Sequence, residues 1–329
     1  MRRILSALLT CFVTGIALPA HAIEACGTAD LIADLPGSDK AILAERVAEV
    51  PFAEGTMFRA TKGGSTVIVV GTLHLPDPRL GPMLDALTPA IQAADLLILE
   101  LTSEDEAQMQ RMAAEKPEQF FLTEGPTLID LLSEEDWALA QEQLAARGIP
   151  AFLAAKYQPW FLSLTLGLPP CVVQAVASGE KGLDRQIEAI AMAAGVDRAA
   201  LDPPDILFQV FGSVPLDEQL ESLQYSLHSD LNGDEMISTL LSAYFDGRMA
   251  ESWEFNRLLA EDLEGGRFME QMAEFEEALL INRNQLWEPL IANMSEGKDV
   301  VVAVGALHLP GESGVLRSLE RAGYDIEPF

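Results

Sequence analysis

Basic, imidazole and thiol side chains are scarce in this 329-residue chain, which has 21 Lys and Arg against 51 Asp and Glu, four histidines and three cysteines. A surface this acidic repels phosphate backbones and argues against a nucleic-acid partner. Acidity alone points to no particular substrate. Beyond the N-terminus no stretch is long and apolar enough to read as a membrane span. Several catalytic signatures are missing too: there is no His-Glu-x-x-His, no Gly-x-Ser-x-Gly elbow and no phosphate-binding P-loop. The stretch Asp230-Leu231-Asn232-Gly233-Asp234 begins like a calcium loop. It then places Glu235 where the turn glycine belongs and Leu241 where the bidentate glutamate belongs, so it is read as a chance match.

The N-terminus has the three parts of a secretory signal: Arg2 and Arg3, a mostly apolar run from Ile4 to Leu18, and Ala20-His21-Ala22 before the expected cut. An uncleaved anchor is the alternative, but the run is shorter than the ~20 residues of a spanning helix, and Thr10, Thr14 and Gly15 weaken it. A lipoprotein signal ending at Cys26 is a second alternative, with Glu24 where a small residue is expected. Cleavage after Ala22 removes Arg2 and Arg3, leaving 19 basic residues against 51 acidic ones and a formal charge of −32. The expected location is periplasmic or secreted, with no membrane partner after cleavage.

Cys11 leaves with the signal, so Cys26 and Cys171 are the two mature cysteines. In an oxidising compartment they are expected to pair, against the alternative of two buried thiols.

The run Thr66-Val67-Ile68-Val69-Val70, preceded by Gly63-Gly64 and stopped by Gly71, reads as a buried strand. Helical spacing follows from about Arg79 to Ala94, then a second apolar run, Leu96–Leu99, ending in Glu100. Strand, helix, strand favours a parallel pair with a right-handed crossover. From about 102 to 297 the chain is mainly helical, with starts such as Ser133-Glu134-Glu135-Asp136 and stops such as Gly148 and Gly195. Strand character returns at Asp299–Val304, followed by a helix near Val315–Ala322 and a short strand at Tyr324–Ile326. The predicted fold class is α/β: a mixed sheet built from N- and C-terminal segments, in one domain over 23–329 with a large helical insertion.

Two of the three histidines left after cleavage share one context. Val67-Ile68-Val69-Val70-Gly71-Thr72-Leu73-His74-Leu75-Pro76 matches Val301-Val302-Ala303-Val304-Gly305-Ala306-Leu307-His308-Leu309-Pro310 in its strand–Gly-x-x-His-Leu-Pro frame. A buried strand is a rigid base, glycine lets the chain leave it sharply, and the imidazole then lies beyond the strand's carboxyl end. If the two strands are neighbours, the histidines converge across 234 positions. The competing account is that each caps a core turn. His228 lacks the frame and reads as a surface residue. Glu100, ending an apolar strand, is costly to bury without a partner and becomes the third candidate, unless it merely begins the solvated stretch Glu104-Asp105-Glu106. Two imidazoles and a carboxylate make a plausible divalent-metal set, or a base with its orienting partners.

With these motifs on the page, the chain resembles the TraB/GumN family, which includes the TIKI-type proteases. The similarity runs from about Phe58 to the C-terminus. It rests on Gly71–His74 and Val302–Gly311, with support from Leu97–Glu100, Gln158-Pro159-Trp160, Gly182-Leu183-Asp184, Arg283-Asn284 and the final Leu319…Gly323-Tyr324. The resemblance implies a core related to ChaN-like and erythromycin-esterase folds. For TIKI-type members it implies metal-dependent peptide cleavage, with manganese or cobalt as the ion and zinc as a further candidate. On this footing the expectation is a periplasmic metal-dependent hydrolase of a peptide or amide bond. His74, Glu100 and His308 are both its catalytic and its metal-holding residues, while Asp184 and Arg283 orient ligand or substrate. For the last two, a helix-surface salt bridge is the equal alternative. One departure stands out: where many members end a strand in Leu-Glu, this chain has Leu201-Asp202-Pro203-Pro204. That shorter carboxylate threatens to leave the site, though Asp202 stays a candidate. The rival function is a binding module for a peptide, haem or metal without turnover, with Tyr157, Tyr225 or Tyr244 as possible haem-iron ligands.

Overall fold

The computed structural model describes residues 26–262 and 267–329; the expected signal segment and its expected cut after Ala22 lie outside the described residues. Six strands form one mixed sheet: β1 (Met57–Lys62), β2 (Ser65–Thr72), β3 (Leu96–Leu99), β4 (Asp197–Ala200), β5 (Asp299–Gly305) and β6 (Asp325–Pro328). Their spatial order is β4-β3-β5-β2-β1-β6. The pairs β4/β3, β3/β5 and β5/β2 are parallel, while β1 runs antiparallel to both β2 and β6.

Parallel strands carry helices on both faces, so their sequences run apolar without alternation, as β2 does. Successive side chains still point to opposite faces. Ile68 and Val70 of β2, Leu97 and Leu99 of β3, and Val301 and Ala303 of β5 enter one core. That core is shared with the helices Leu80–Ala93, Leu183–Ala194 and Gly233–Phe245. Val67, Val69, Ile98, Val300, Val302 and Val304 enter the other, against Trp287 and Ile291 of the Asn282–Ser295 helix and Leu316 and Leu319 of the Val315–Arg321 helix. Each fully buried aliphatic side chain is worth roughly 1.5–3 kcal/mol relative to exposure.

β2 and β3 are parallel, as their strand–helix–strand pattern predicts, but they are not neighbours. β5 lies between them, bonded to β2 over Thr66–Thr72 and to β3 over Leu96–Leu99. Sequential connection reveals direction, whereas adjacency depends on what the far end of the chain brings. β1 is absent from the sequence expectation because Met57–Lys62 has little β-branched character. It forms through a two-residue Gly63-Gly64 turn with Gly63 at φ +59°, the left-handed conformation hairpin turns use.

Within the helical stretch, Ser133 caps the Glu134–Ala146 helix by accepting from the Asp136 amide. Gly195 ends the Leu183–Ala194 helix at φ +74°. The only strand in that stretch among the described residues is β4. Asn232 of the calcium-like stretch caps the Gly233–Phe245 helix, accepting from the Asp234 and Glu235 amides. Cys26 and Cys171 are joined at an S–S distance of 2.04 Å, closing a separation of 145 residues.

Candidate functional site

The four parallel strands deliver polar groups in spatial order from their carboxyl ends, where open α/β sheets place ligands. Pairing continues past β4, with the Leu201 amide donating to the Leu99 carbonyl (2.9 Å) and the Asp202 amide to the Glu100 carbonyl (3.0 Å). Asp202 thus stays beside Glu100 despite the two prolines that follow. Gly305 and His308 follow on β5, and His74 on β2. The two imidazoles converge: His74 Nε2 and His308 Nε2 each lie 3.9 Å from Glu100 Oε1.

The shared motif ends in two different environments. His308 closes a short 3₁₀ turn, Ala306–His308, and is buried against Trp287, the ring centroids being 4.4 Å apart. Its Nδ1 donates to Asn284 Oδ1 at 2.7 Å, an orientation consistent with the Asn284 amide nitrogen donating to the Ser313 carbonyl at 2.9 Å. His308 Nε2 is therefore an acceptor. Burial, aided by the charges of Arg283 and His74, lowers its pKa to about 4 against the pull of Glu100. His74 sits in a bend, and 61% of its side-chain surface stays open to solvent. Burial would lower its pKa, but Asp184, whose Oδ1 lies 3.3 Å from His74 Nδ1, and the charge of Glu100 outweigh this and raise it to about 9. The accessible face keeps that ring hydrated, so the direction rests on Asp184.

The motif glycines are needed for space rather than torsion, since neither has a positive φ. A Cβ on Gly71 would come within 3.0 Å of the Ala306 backbone. One on Gly305 would lie 3.1 Å from Glu100 Oε1 and 3.6 Å from His74 Nε2, filling the cradle between them. The Gly305 amide also donates to Glu100 Oε1 at 2.6 Å.

Arg283 is the centre of the network rather than a helix-surface partner. Its Nη2 donates to Glu100 Oε2 and, at 2.5 Å, to Asp202 Oδ2, which also accepts from Nε at 3.1 Å. Its Nη1 donates to the Leu279 carbonyl (3.0 Å) and to His308 Nε2 (3.1 Å). Asp202 Oδ1 accepts from Trp287 Nε1 at 2.9 Å, and the guanidinium lies 4.6 Å over the Trp287 ring. Leu279 belongs to the π-helical turn Glu277–Ile281, a helix irregularity that recurs at functional sites. Burial would raise the Glu100 pKa, but His308 when charged, Arg283, His74 and the Gly305 amide hold it down at about 2. Because His308 is neutral above about 4, Arg283, His74 and Gly305 carry that effect near neutrality. Burial leaves Asp202 above its ordinary value despite Arg283.

Asn284 and Trp287 are functional neighbours that residue-by-residue reading assigned no role. The available signal was Trp287 four residues after Arg283, hence on the same helix face. His228 lies apart from the site, half exposed and paired with Asp136 at 2.7 Å. Tyr244 is buried, and its hydroxyl donates to the Gly71 carbonyl at 2.9 Å.

A divalent ion needs donors with free lone pairs. Here the single free lone pair of His308, on Nε2, is taken by Arg283, and its Nδ1 is held by Asn284. The ring of His74 is protonated at neutral pH, and Glu100 and Asp202 already balance the Arg283 charge. Among the described residues no group of three or more His, Cys, Asp or Glu side chains is arranged to hold a metal. The donor set in this arrangement does not fit the ion.

None of the curated proteins matches the chain. The sequence model of the TraB/PrgY/gumN family matches residues 56–328, a span that holds the whole sheet and every group of the site. The chain belongs to the TraB/PrgY/gumN family.

Proposed function

We propose that this site hydrolyses an amide or peptide bond in a compartment outside the cytoplasm. The observation that carries the reading is the pair across the cradle: His74 Nε2 faces Glu100 Oε1 over 3.9 Å, with His74 raised to about 9 and Glu100 lowered to about 2. A protonated imidazole and an ionised carboxylate therefore coexist at neutral pH, a proton donor beside an acceptor. Their separation is too long for a direct hydrogen bond and suits a shared water.

In the reaction, that water's oxygen attacks the carbonyl carbon as its proton passes to Glu100 Oε1. His74 gives its Nε2 proton to the leaving nitrogen as the C–N bond breaks. The proton on Glu100 then returns to His74, restoring both groups. Asp184 holds the His74 ring through Nδ1, and Arg283 with the Gly305 amide holds Glu100. The Cys26–Cys171 disulfide supports an exported protein.

The test is cleavage of a peptide and amide library, read by mass spectrometry, by the wild type, His74→Ala and Glu100→Gln. Loss of either group should cost roughly 10²–10⁴-fold in rate with circular dichroism unchanged. A wild type that retains a ligand without cleaving it, or variants that cleave normally, would move the protein to the binding class.

A further inference from the structure

We infer that Arg283 is the resident cation of this site and that its guanidinium and a divalent metal ion exclude each other there. A guanidinium has five N–H donors in a rigid planar fork. All five are used here: Nε on Asp202, the two of Nη2 on Glu100 and Asp202, and the two of Nη1 on Leu279 and His308. A surface arginine that swings in from solvent rarely reaches such saturation. This one has only 11% of its side-chain surface exposed and is backed by the Trp287 ring.

The place it takes is the one an ion would need. A metal bound to His308 must approach along the Nε2 lone pair, and that lone pair already accepts from Nη1. Asn284 prevents the ring from offering its other nitrogen, because Nδ1 is held by Asn284 Oδ1 at 2.7 Å. Glu100 and Asp202, the two carboxylates that would neutralise an ion, already neutralise the guanidinium. Leu279 lies in the π-helical turn just before Arg283, so one backbone irregularity aims both the anchor and the side chain. Expelling Arg283 would take from Glu100, Asp202, His308 and the Leu279 carbonyl the N–H groups that they now accept from, all inside the fold.

The inference is independent of the hydrolytic reading, because it is tested by metal binding and not by turnover. The mature wild-type protein is titrated with MnCl₂, CoCl₂ and ZnCl₂ by calorimetry, with metal content after dialysis as a second readout. His308→Ala and the charge-conserving pair Arg283→Met/Asp202→Asn are run alongside. The expected result is no binding in the wild type that depends on His308. The paired variant should bind Co²⁺ or Zn²⁺ roughly tenfold or more tighter, with a visible cobalt spectrum that disappears when His308→Ala is added. One equivalent bound by the wild type and lost in His308→Ala would overturn the inference. So would a folded paired variant with no gain in affinity. If the paired variant does not fold, the wild-type titration with its His308→Ala control decides alone.

Discussion

Arg283→Met keeps the length of the side-chain stem and deletes the charge that Glu100 and Asp202 share. Both carboxylates are largely enclosed, and no other arginine or lysine among the described residues forms an ion pair with either. Breaking a buried pair by removing one partner costs about 3–5 kcal/mol, because a charge is left uncompensated. Here two carboxylates lose the same partner, but Glu100 keeps His74 and the Gly305 amide, so Asp202 carries most of this cost at pH 8. The cost depends on pH in a direction fixed by linkage. Without the guanidinium, burial raises the Asp202 pKa further above that of the unfolded chain, while Glu100 loses one of the groups that hold it down. Between the unfolded and folded values the native state binds more protons, so stability recovers as pH falls, at most about 1.4 kcal/mol per pH unit for each proton taken up. Urea denaturation of wild type, Arg283→Met and Arg283→Met/Asp202→Asn at pH 5, 6.5 and 8 measures this. The deficit of the single variant should be largest at pH 8 and shrink by pH 5. The double variant should recover part of it at pH 8. A loss below about 1 kcal/mol that does not change with pH is the behaviour of a solvent-exposed ion pair, and it would refute the account of a buried, charge-balancing arginine.

Three further outcomes follow from particular contacts. Cys26→Ser with Cys171→Ser should cost up to about 5 kcal/mol, the chain-entropy value for a loop of 145 residues, and thiol labelling of the denatured, unreduced wild type should find no free thiol; a loss well under 2 kcal/mol would mean the N-terminal segment is held by other contacts. Asp184→Asn should drop the His74 pKa from about 9 toward its ordinary value near 6.5 in an NMR titration. The stability this pair contributes is complete below the ordinary histidine pKa and is lost as pH rises through about 9, so wild type but not Asp184→Asn should weaken across that range. Gly182→Ala would place its Cβ 2.4 Å from the His74 carbonyl carbon and oxygen, and overpacking of this kind costs about 1–3 kcal/mol by calorimetry; a neutral substitution would show that the Gly182 turn and the His74 bend are not in firm contact.

What the residues determined by themselves is local and periodic. The unbroken apolar runs of β2, β3 and β5 are legible because strands buried on both faces cannot afford polar side chains. The paired Gly-x-x-His frames are legible because repetition in a histidine-poor chain is itself a signal, and Glu100 because a carboxylate ending such a run needs a partner. The pairing of Cys26 with Cys171 followed from their number. What only tertiary structure decided is which groups face one another. β5 inserts between β2 and β3, so His308 meets Glu100 directly, and strand order is set by long-range pairing that no local pattern encodes. Two motifs with one frame diverge into a buried neutral ring and a solvent-facing one raised by a carboxylate, because burial and neighbouring charge belong to the assembled fold and not to the motif. Arg283 reads equally as a helix-surface cation until a π-helical turn, Trp287 and two strand ends close around it. Its role depends on partners 81 and 183 positions away, and only the fold brings them within hydrogen-bonding distance.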